Sequence, residues 1–191
     1  MKICFATNNQ HKLAEVRQIL GDRFEVLSLK DAGFSGDIPE THDTLEENSQ
    51  EKAECIFKKI GFPTFSDDSG LEVEELSGKP GVHSAHYSGS RDSIQNIHKV
   101  LKELGDSNNR KAQFRAVVTF VDNGHSMQFE GVVEGSLSRE IQGEDGFGYD
   151  PIFIPEGYNK TFAQLSSAVK NGISHRKRSI EKLADYLDSF F

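Results

Sequence analysis

Residues 2–21 read KICFATNNQHKLAEVRQILG. Ile3 to Ala6 form a short apolar run, which predicts a buried strand. Leu13, Val16, Ile19 and Leu20 share one helical face, so Lys12 to Leu20 is predicted as a helix, with Gly21 as its stop. Thr7 to Gln10 must then make a tight strand-to-helix turn. Working outward, a second helix is expected from Leu45 to Lys59. Thr44 and Glu47 suggest a capping box there, and Ala53, Ile56, Phe57 and Ile60 form the apolar face. Pro63 to Ser66 read as a strand running into Asp67-Asp68-Ser69-Gly70, and Leu71 to Leu76 as another extended segment. Gly78 to Gly89 reads as a structured loop. Ile94, Ile97, Val100, Leu101 and Leu104 mark a third helix ending at Gly105. Phe114 to Val121 and His125 to Leu137 read as strands joined by Asn123-Gly124, a strong hairpin signal. The Gly-rich stretch Gly143 to Asp150 precedes a short strand, Ile152 to Ile154. A last helix from about Ser174 is expected to bury Ile180, Leu183, Leu187 and Phe190. Alternating strands and helices followed by a long hairpin predict an α/β fold with a mixed sheet. No repeat, low-complexity tract or linker divides residues 1–191, so one domain is expected.

The 191 residues carry a formal net charge of -8, with 36% apolar and 27% charged side chains. This is a folded, water-facing composition. An acidic surface repels a phosphate backbone, which disfavours nucleic acid as a partner. A small phosphate ligand remains compatible, because a local cation cluster or a metal can reverse the field. The two cysteines, Cys4 and Cys55, lack C-x-x-C spacing and are expected to be buried free thiols in a reducing compartment. The N-terminus lacks the pattern of a secretory signal, and no apolar stretch reaches membrane length. A cytoplasmic protein without membrane contact is expected.

Four stretches could carry chemistry. Thr7, Asn8, Asn9, Gln10, His11 and Lys12 lie where a helix N-terminus offers N–H groups to an anion, and Lys12 adds a charge. The glycines of a P-loop are absent, and a plain capping turn accounts for the same residues. Glu40, after Pro39, and Asp68 would suit a hard divalent cation. Magnesium takes one or two carboxylates plus water and phosphate oxygens. Asp68 could also take a proton from an attacking water. Adjacent carboxylates on an extended chain point to opposite faces, so Asp67 and Asp68 should not both meet one site. An Asp-rich turn closed by Gly70 is the competing reading. Phe147, Gly148, Tyr149 and Asp150 combine permissive backbone with a ring on which a base could stack. They could equally be a loop whose aromatics belong to the core. Ser174, His175 and Arg176, with Lys170 before them, put cations in a first helical turn, where the dipole disfavours them. Such rule-breaking positions are enriched in sites, although a solvated basic patch is also consistent. Glu47, Asn48 and Lys52 lie on a helix and could line the site, with a solvated helix face as the default reading. The histidines at 42, 83, 86, 98 and 125 have no zinc-type spacing. Ser69 has no base beside it in sequence, which disfavours a serine nucleophile.

The order of these motifs resembles one family. T-x-N-x-x-K at the N-terminus, E-N-x-x-x-K-A at 47–53, D-D-S-G-L at 67–71 and P-G-x-x-S-A at 80–85 come first. G-F-G-Y-D-P-I-F at 146–153 and S-H-R at 174–176 follow. Together, over essentially the whole chain, they resemble the inosine/xanthosine triphosphate pyrophosphatases. The resemblance implies hydrolysis of dITP, ITP and XTP to the monophosphate and pyrophosphate, with Mg2+ as cofactor, by a homodimer. It implies a long mixed sheet with helices in two lobes around a central substrate cleft. Thr7 to Lys12 would hold the triphosphate. Glu40 and Asp68 would serve the metal, with Asp68 as proton acceptor, and Ser69 would touch substrate. Phe147 to Asp150, Lys170, His175 and Arg176 would surround base and sugar. A pyrophosphatase for other modified nucleotides and a non-catalytic nucleotide-binding module are the alternatives. Two positions depart from the family: Asn8 stands where Gly is usual, and His86 where Arg is frequent. If position 8 needs a positive φ, Asn tolerates it better than most residues.

Overall fold

The computed structural model describes residues 1–190; the side chain of Phe190, counted above with the last apolar face, lies outside the described residues. Among the described residues six strands and five α-helices follow one another. The strands are β1 (Lys2–Phe5), β2 (Glu25–Leu27), β3 (Thr64–Val73), β4 (Lys111–Asp122), β5 (His125–Leu137) and β6 (Phe153–Pro155). The helices are α1 (Gln10–Leu20), α2 (Leu45–Ile60), α3 (Ser93–Leu104), α4 (Ser167–Ile173) and α5 (His175–Phe190). The strands form one sheet in the order β2-β1-β3-β4-β5-β6. β1 pairs parallel with β2 and with β3, whereas β6 runs antiparallel to β5, so the expected mixed α/β sheet is present. Among the described residues no helix is long and apolar enough to cross a membrane.

The chain divides into two compact units. The first comprises Met1–Asp68, Ala116–Gly131 and Arg176–Phe191. In it Ile3, Phe5 and Phe65 pack with Leu13, Val16 and Leu20 of α1 and Ile180, Leu183 and Leu187 of α5. A smaller cluster joins Cys4 and Ala6 to Ile56 of α2. The second comprises Ser69–Arg115 and Val132–His175, with a core of Leu71, Ile97, Val100, Phe114, Tyr149, Phe153 and Phe162.

Local chemistry explains most boundaries. Asn9 caps α1, its side-chain oxygen accepting from His11 N and Lys12 N, and Gly21 closes the helix. Thr44 caps α2 by accepting from Glu47 N, but Glu47 answers by taking the Thr44 hydroxyl (2.8 Å), so the expected reciprocal box is only half made. The hairpin turn has Asn123 and Gly124 both at positive φ (42° and 83°), as a type I′ turn demands.

Three expectations need correction. The Asp67-Asp68-Ser69-Gly70 stretch is no turn; it lies inside a single strand, Thr64–Val73. Gly70 is needed there because a Cβ would overlap the Gly81 carbonyl, not because the chain bends. Residues 81–86 of the expected loop wind into a 3-10 turn, and α4, which no sequence pattern predicted, precedes α5.

Candidate functional site

In the first unit, the N-terminal turn is more tied down than expected. Its Asn9 cap occupies the His11 (2.9 Å) and Lys12 (3.2 Å) N–H groups, and Thr7 accepts from Asn9 N (3.1 Å). Those donors are therefore committed to the cap, which corrects the picture of a turn with free N–H groups. Asn8 is exposed and donates to the Gly36 carbonyl (3.3 Å). Among the described residues only Ser77 and Asn123 are non-glycine positions at positive φ, so Asn8 brings no backbone strain. Gln10 and His11 are exposed.

Lys12 does not project as a loose charge. Its Nζ lies 3.1 Å from Asp67 Oδ1, and Asp67 is 1% exposed. The other Asp67 oxygen accepts from Arg176 Nε (3.0 Å), and Arg176 Nη1 reaches Glu15 Oε2 (2.5 Å). Arg176 is the largest fully buried side chain. It was expected beside base and sugar; its guanidinium is held by two carboxylates of its own unit, Asp67 and Glu15. Burial alone would push the Asp67 carboxyl up, but Lys12, Arg176 and Lys52 outweigh it and hold Asp67 well below the usual carboxylate range. Lys12 is lowered as well: burial lowers its ammonium, with Lys52 and Arg176 adding repulsion and Asp67 opposing.

Asp68 turns to the opposite side of β3, as the alternation of an extended chain requires. Lys52 Nζ donates to Asp68 Oδ1 (2.8 Å) and to Glu40 Oε1 (2.8 Å), so the two carboxylates share one ammonium. Burial would lower Lys52, but Asp68, Glu40 and Asp67 outweigh it and keep it protonated. Burial raises the Asp68 carboxyl, while Lys52 and Lys12 pull it down. The expected pair, Glu40 and Asp68, is thus brought together, and both Asp67 and Asp68 have functional-looking company.

The sequence reading left Lys52 by default on a solvated face, set Asp67 aside in favour of Asp68, and did not single out Glu15. A signal for Lys52 was present: the buried stripe of α2 is Leu45, Asn48, Ser49, Lys52, Ala53 and Ile56. Polar residues there occupy core positions of a helical period, which contradicts a solvated face.

Around this site four carboxylates (Glu15, Glu40, Asp67, Asp68) meet three cations (Lys12, Lys52, Arg176). One negative charge is left over, an environment that favours a divalent cation over a bare polyanion. Glu40 and Asp68 present the hard oxygen donors that magnesium prefers. Among the described residues no three or more His, Cys, Asp or Glu side chains are gathered as a ready cage. A site of two carboxylates fits a cation that completes its shell with water and phosphate oxygens.

The second unit holds Ser69, Phe147 to Asp150, Lys170 and His175. Asp150, 3% exposed, accepts from Phe147 N (2.8 Å) and from Lys170 Nζ (2.7 Å). The Lys170 ammonium lies 4.6 Å from the Phe147 ring centroid, a cation–π distance. His175 stacks on Phe114 at 4.8 Å with 12° between the planes, which fixes the imidazole against the core. Tyr149 takes the second of the two places the sequence left open: its ring belongs to the core and its hydroxyl donates to the Ser84 carbonyl (2.9 Å). Gly148 is half-buried, with open space where a Cβ would stand. His86 is exposed at the end of its 3-10 turn, edge-on to His83.

Comparison with known proteins fits this geometry. The profile of the Ham1 family matches residues 3–186. A dITP/XTP pyrophosphatase of Porphyromonas gingivalis is 47% identical over 188 residues, 97% of each chain. A dITP/XTP pyrophosphatase of Bacillus subtilis is 43% identical over 189 residues, 96% of each. The solved structure of the Staphylococcus aureus Ham1 protein superposes with a TM-score of 0.90 at 37% identity, covering 100% of both chains. With the profile spanning nearly its whole length and relatives of this identity and coverage, the chain belongs to the Ham1 family.

Proposed function

We propose that the protein hydrolyses purine nucleoside triphosphates bearing a keto group at C6, namely dITP, ITP and XTP, to the monophosphate and pyrophosphate, and so clears them from the nucleotide pool. The observation that carries this reading is the sharing of one ammonium, that of Lys52, by Glu40 and Asp68. Relatives bearing the name dITP/XTP pyrophosphatase over nearly all of their length support the substrate class. Glu40 and Asp68 would hold Mg2+, which when bound neutralises phosphate charge. Asp68 accepts the proton of the attacking water as the anhydride between the α and β phosphates opens, and pyrophosphate leaves. Lys12, together with Thr7 to His11, engages the phosphate tail. Arg176 and Glu15 orient Asp67 and so the Lys12 ammonium.

For the second unit, we assign Phe147 as a stacking face and Lys170 and His175 as donors toward the C6 oxygen, with Ser69 as a further substrate contact. A site built to donate there rejects adenine, whose amine would leave donors facing donors. One domain over residues 1–191, a homodimer and a cytoplasmic location complete the proposal, on the strength of the family resemblance and the composition.

A Mg2+-dependent pyrophosphate-release assay with dITP, XTP, dGTP and ATP tests it. Turnover of dITP and XTP well above ATP is expected. Asp68→Asn should fold and lose about 100-fold or more in kcat. Orthophosphate as the first product from dITP would overturn the reading.

A further inference from the structure

Residues 37–41, which carry Glu40, have no helix or strand to fix them. Their position is set by α2. Asn48, 3% exposed, accepts from His42 N through Oδ1 (2.9 Å) and donates from Nδ2 to the His42 carbonyl (3.0 Å). A buried amide engaged on both its donor and acceptor sides holds a backbone in one register. Three residues on, Glu51 accepts from Thr41 N (3.1 Å) and from the Thr41 hydroxyl (3.0 Å). The same helix is tied to β3 just ahead of the aspartates: the Ser49 and Ser66 hydroxyls lie 3.0 Å apart, and Ser66 also donates to the Ser49 carbonyl. α2 therefore carries, within one turn and a half, a clamp on the Glu40 segment, a clamp on the Asp68 strand, and Lys52 reaching both acids.

We infer that Asn48 is a positioning residue which, through the backbone of His42, fixes where the Glu40 carboxylate stands relative to Asp68, with Glu51 as its outer support. The inference rests on the proposed metal-holding role of that pair. Asn48 needs no contact with substrate or cation. Outer groups that orient metal-holding side chains commonly change metal affinity or activity by about 10–100-fold when removed.

The test compares full-length wild type, Asn48→Ala and Glu51→Ala. The Mg2+ concentration giving half-maximal pyrophosphate release from dITP is measured. Mn2+ binding is titrated by electron paramagnetic resonance in the presence of α,β-methylene dITP. Asn48→Ala should raise the Mg2+ midpoint and weaken Mn2+ binding by about 10-fold or more, with kcat at saturating metal within about threefold of wild type. Glu51→Ala should move both in the same direction by less. A loss of kcat with unchanged midpoint and unchanged Mn2+ binding would overturn the positioning role. So would wild-type values for both variants. If Asn48→Ala does not fold, an unchanged midpoint in Glu51→Ala overturns it. A wild type that releases no pyrophosphate in Mg2+ fails the functional reading itself and takes the inference with it, whereas failure of the inference alone appears only in the variants.

Discussion

A single charged side chain has the meaning its partners give it, and several residues here read differently once those partners are present. Lys52 looked like a solvated helix lysine and is instead the shared counterion of Glu40 and Asp68. Arg176 looked like a donor for a base and is bound to Asp67 and Glu15. Neither pairing is local in sequence, so no spacing rule could reveal it. The cysteines separate in a simpler way. Cys4 sits at 0% exposure on β1, and burial, helped by Asp31, pushes its thiol from 9.0 up to about 12. Cys55 is only half-buried. Iodoacetamide at pH 8 should therefore modify Cys55 first, with Cys4 reacting only after unfolding. Mass spectrometry of the native protein should show one adduct, and rapid double labelling would contradict the burial of β1. The same shift has a sign for stability. Because the folded value lies above the unfolded one, the unfolded thiol ionises first, and this group's stabilisation, whole below pH 9, is lost as pH rises toward 12.

At the scale of elements, those written by local chemistry were legible: the β1–α1 turn with its Asn9 cap, α2 with Thr44, and the Asn123-Gly124 hairpin. Those decided by distant partners were not. The Asp67-Asp68-Ser69-Gly70 stretch has turn propensity, yet ion pairs to Lys12, Arg176 and Lys52 neutralise the acids and let β3 run straight through. α4 escaped notice because seven residues including Gly172 make too short a periodic signal. The loop from Gly146 to Asp150 was recognised as glycine-rich without a way to tell which glycine matters. Gly146 and Gly148 both have positive φ, 81° and 61°. A Cβ at Gly146 would overlap the Asp150 carboxylate, whereas at Gly148 it meets nothing within 4 Å. Gly148→Ala should therefore cost only the left-handed backbone penalty of about 1–2 kcal/mol. Gly146→Ala should cost more than that and also dislodge the carboxylate that holds Phe147 N and Lys170. Urea unfolding should rank Gly146→Ala below Gly148→Ala in stability. On the proposed role of Phe147 and Lys170, its KM for dITP should rise about 10-fold. Equal effects of the two substitutions would mean that the Asp150 contact is not the determinant.

For the whole molecule, the net charge of -8 works against a substrate that is itself a polyanion. The acids and bases of the first-unit site nearly cancel, so the pull on a distant triphosphate is weak and the summed surface charge decides the long-range field. That field reaches about 30 Å at 0.01 M salt and only about 8 Å at 0.15 M. Raising the salt should therefore remove repulsion and leave the close contacts largely intact. Measured with dITP at fixed free Mg2+, kcat/KM should increase by about two- to threefold between those ionic strengths, while kcat stays nearly constant. An enzyme that draws its nucleotide in through a positive funnel would show the reverse, a fall of kcat/KM with salt. Such a fall here would mean that Lys12 and its neighbours project a net positive field past the carboxylates that pair with them. The direction of the salt effect thus reads out, in solution, how completely those internal ion pairs cancel.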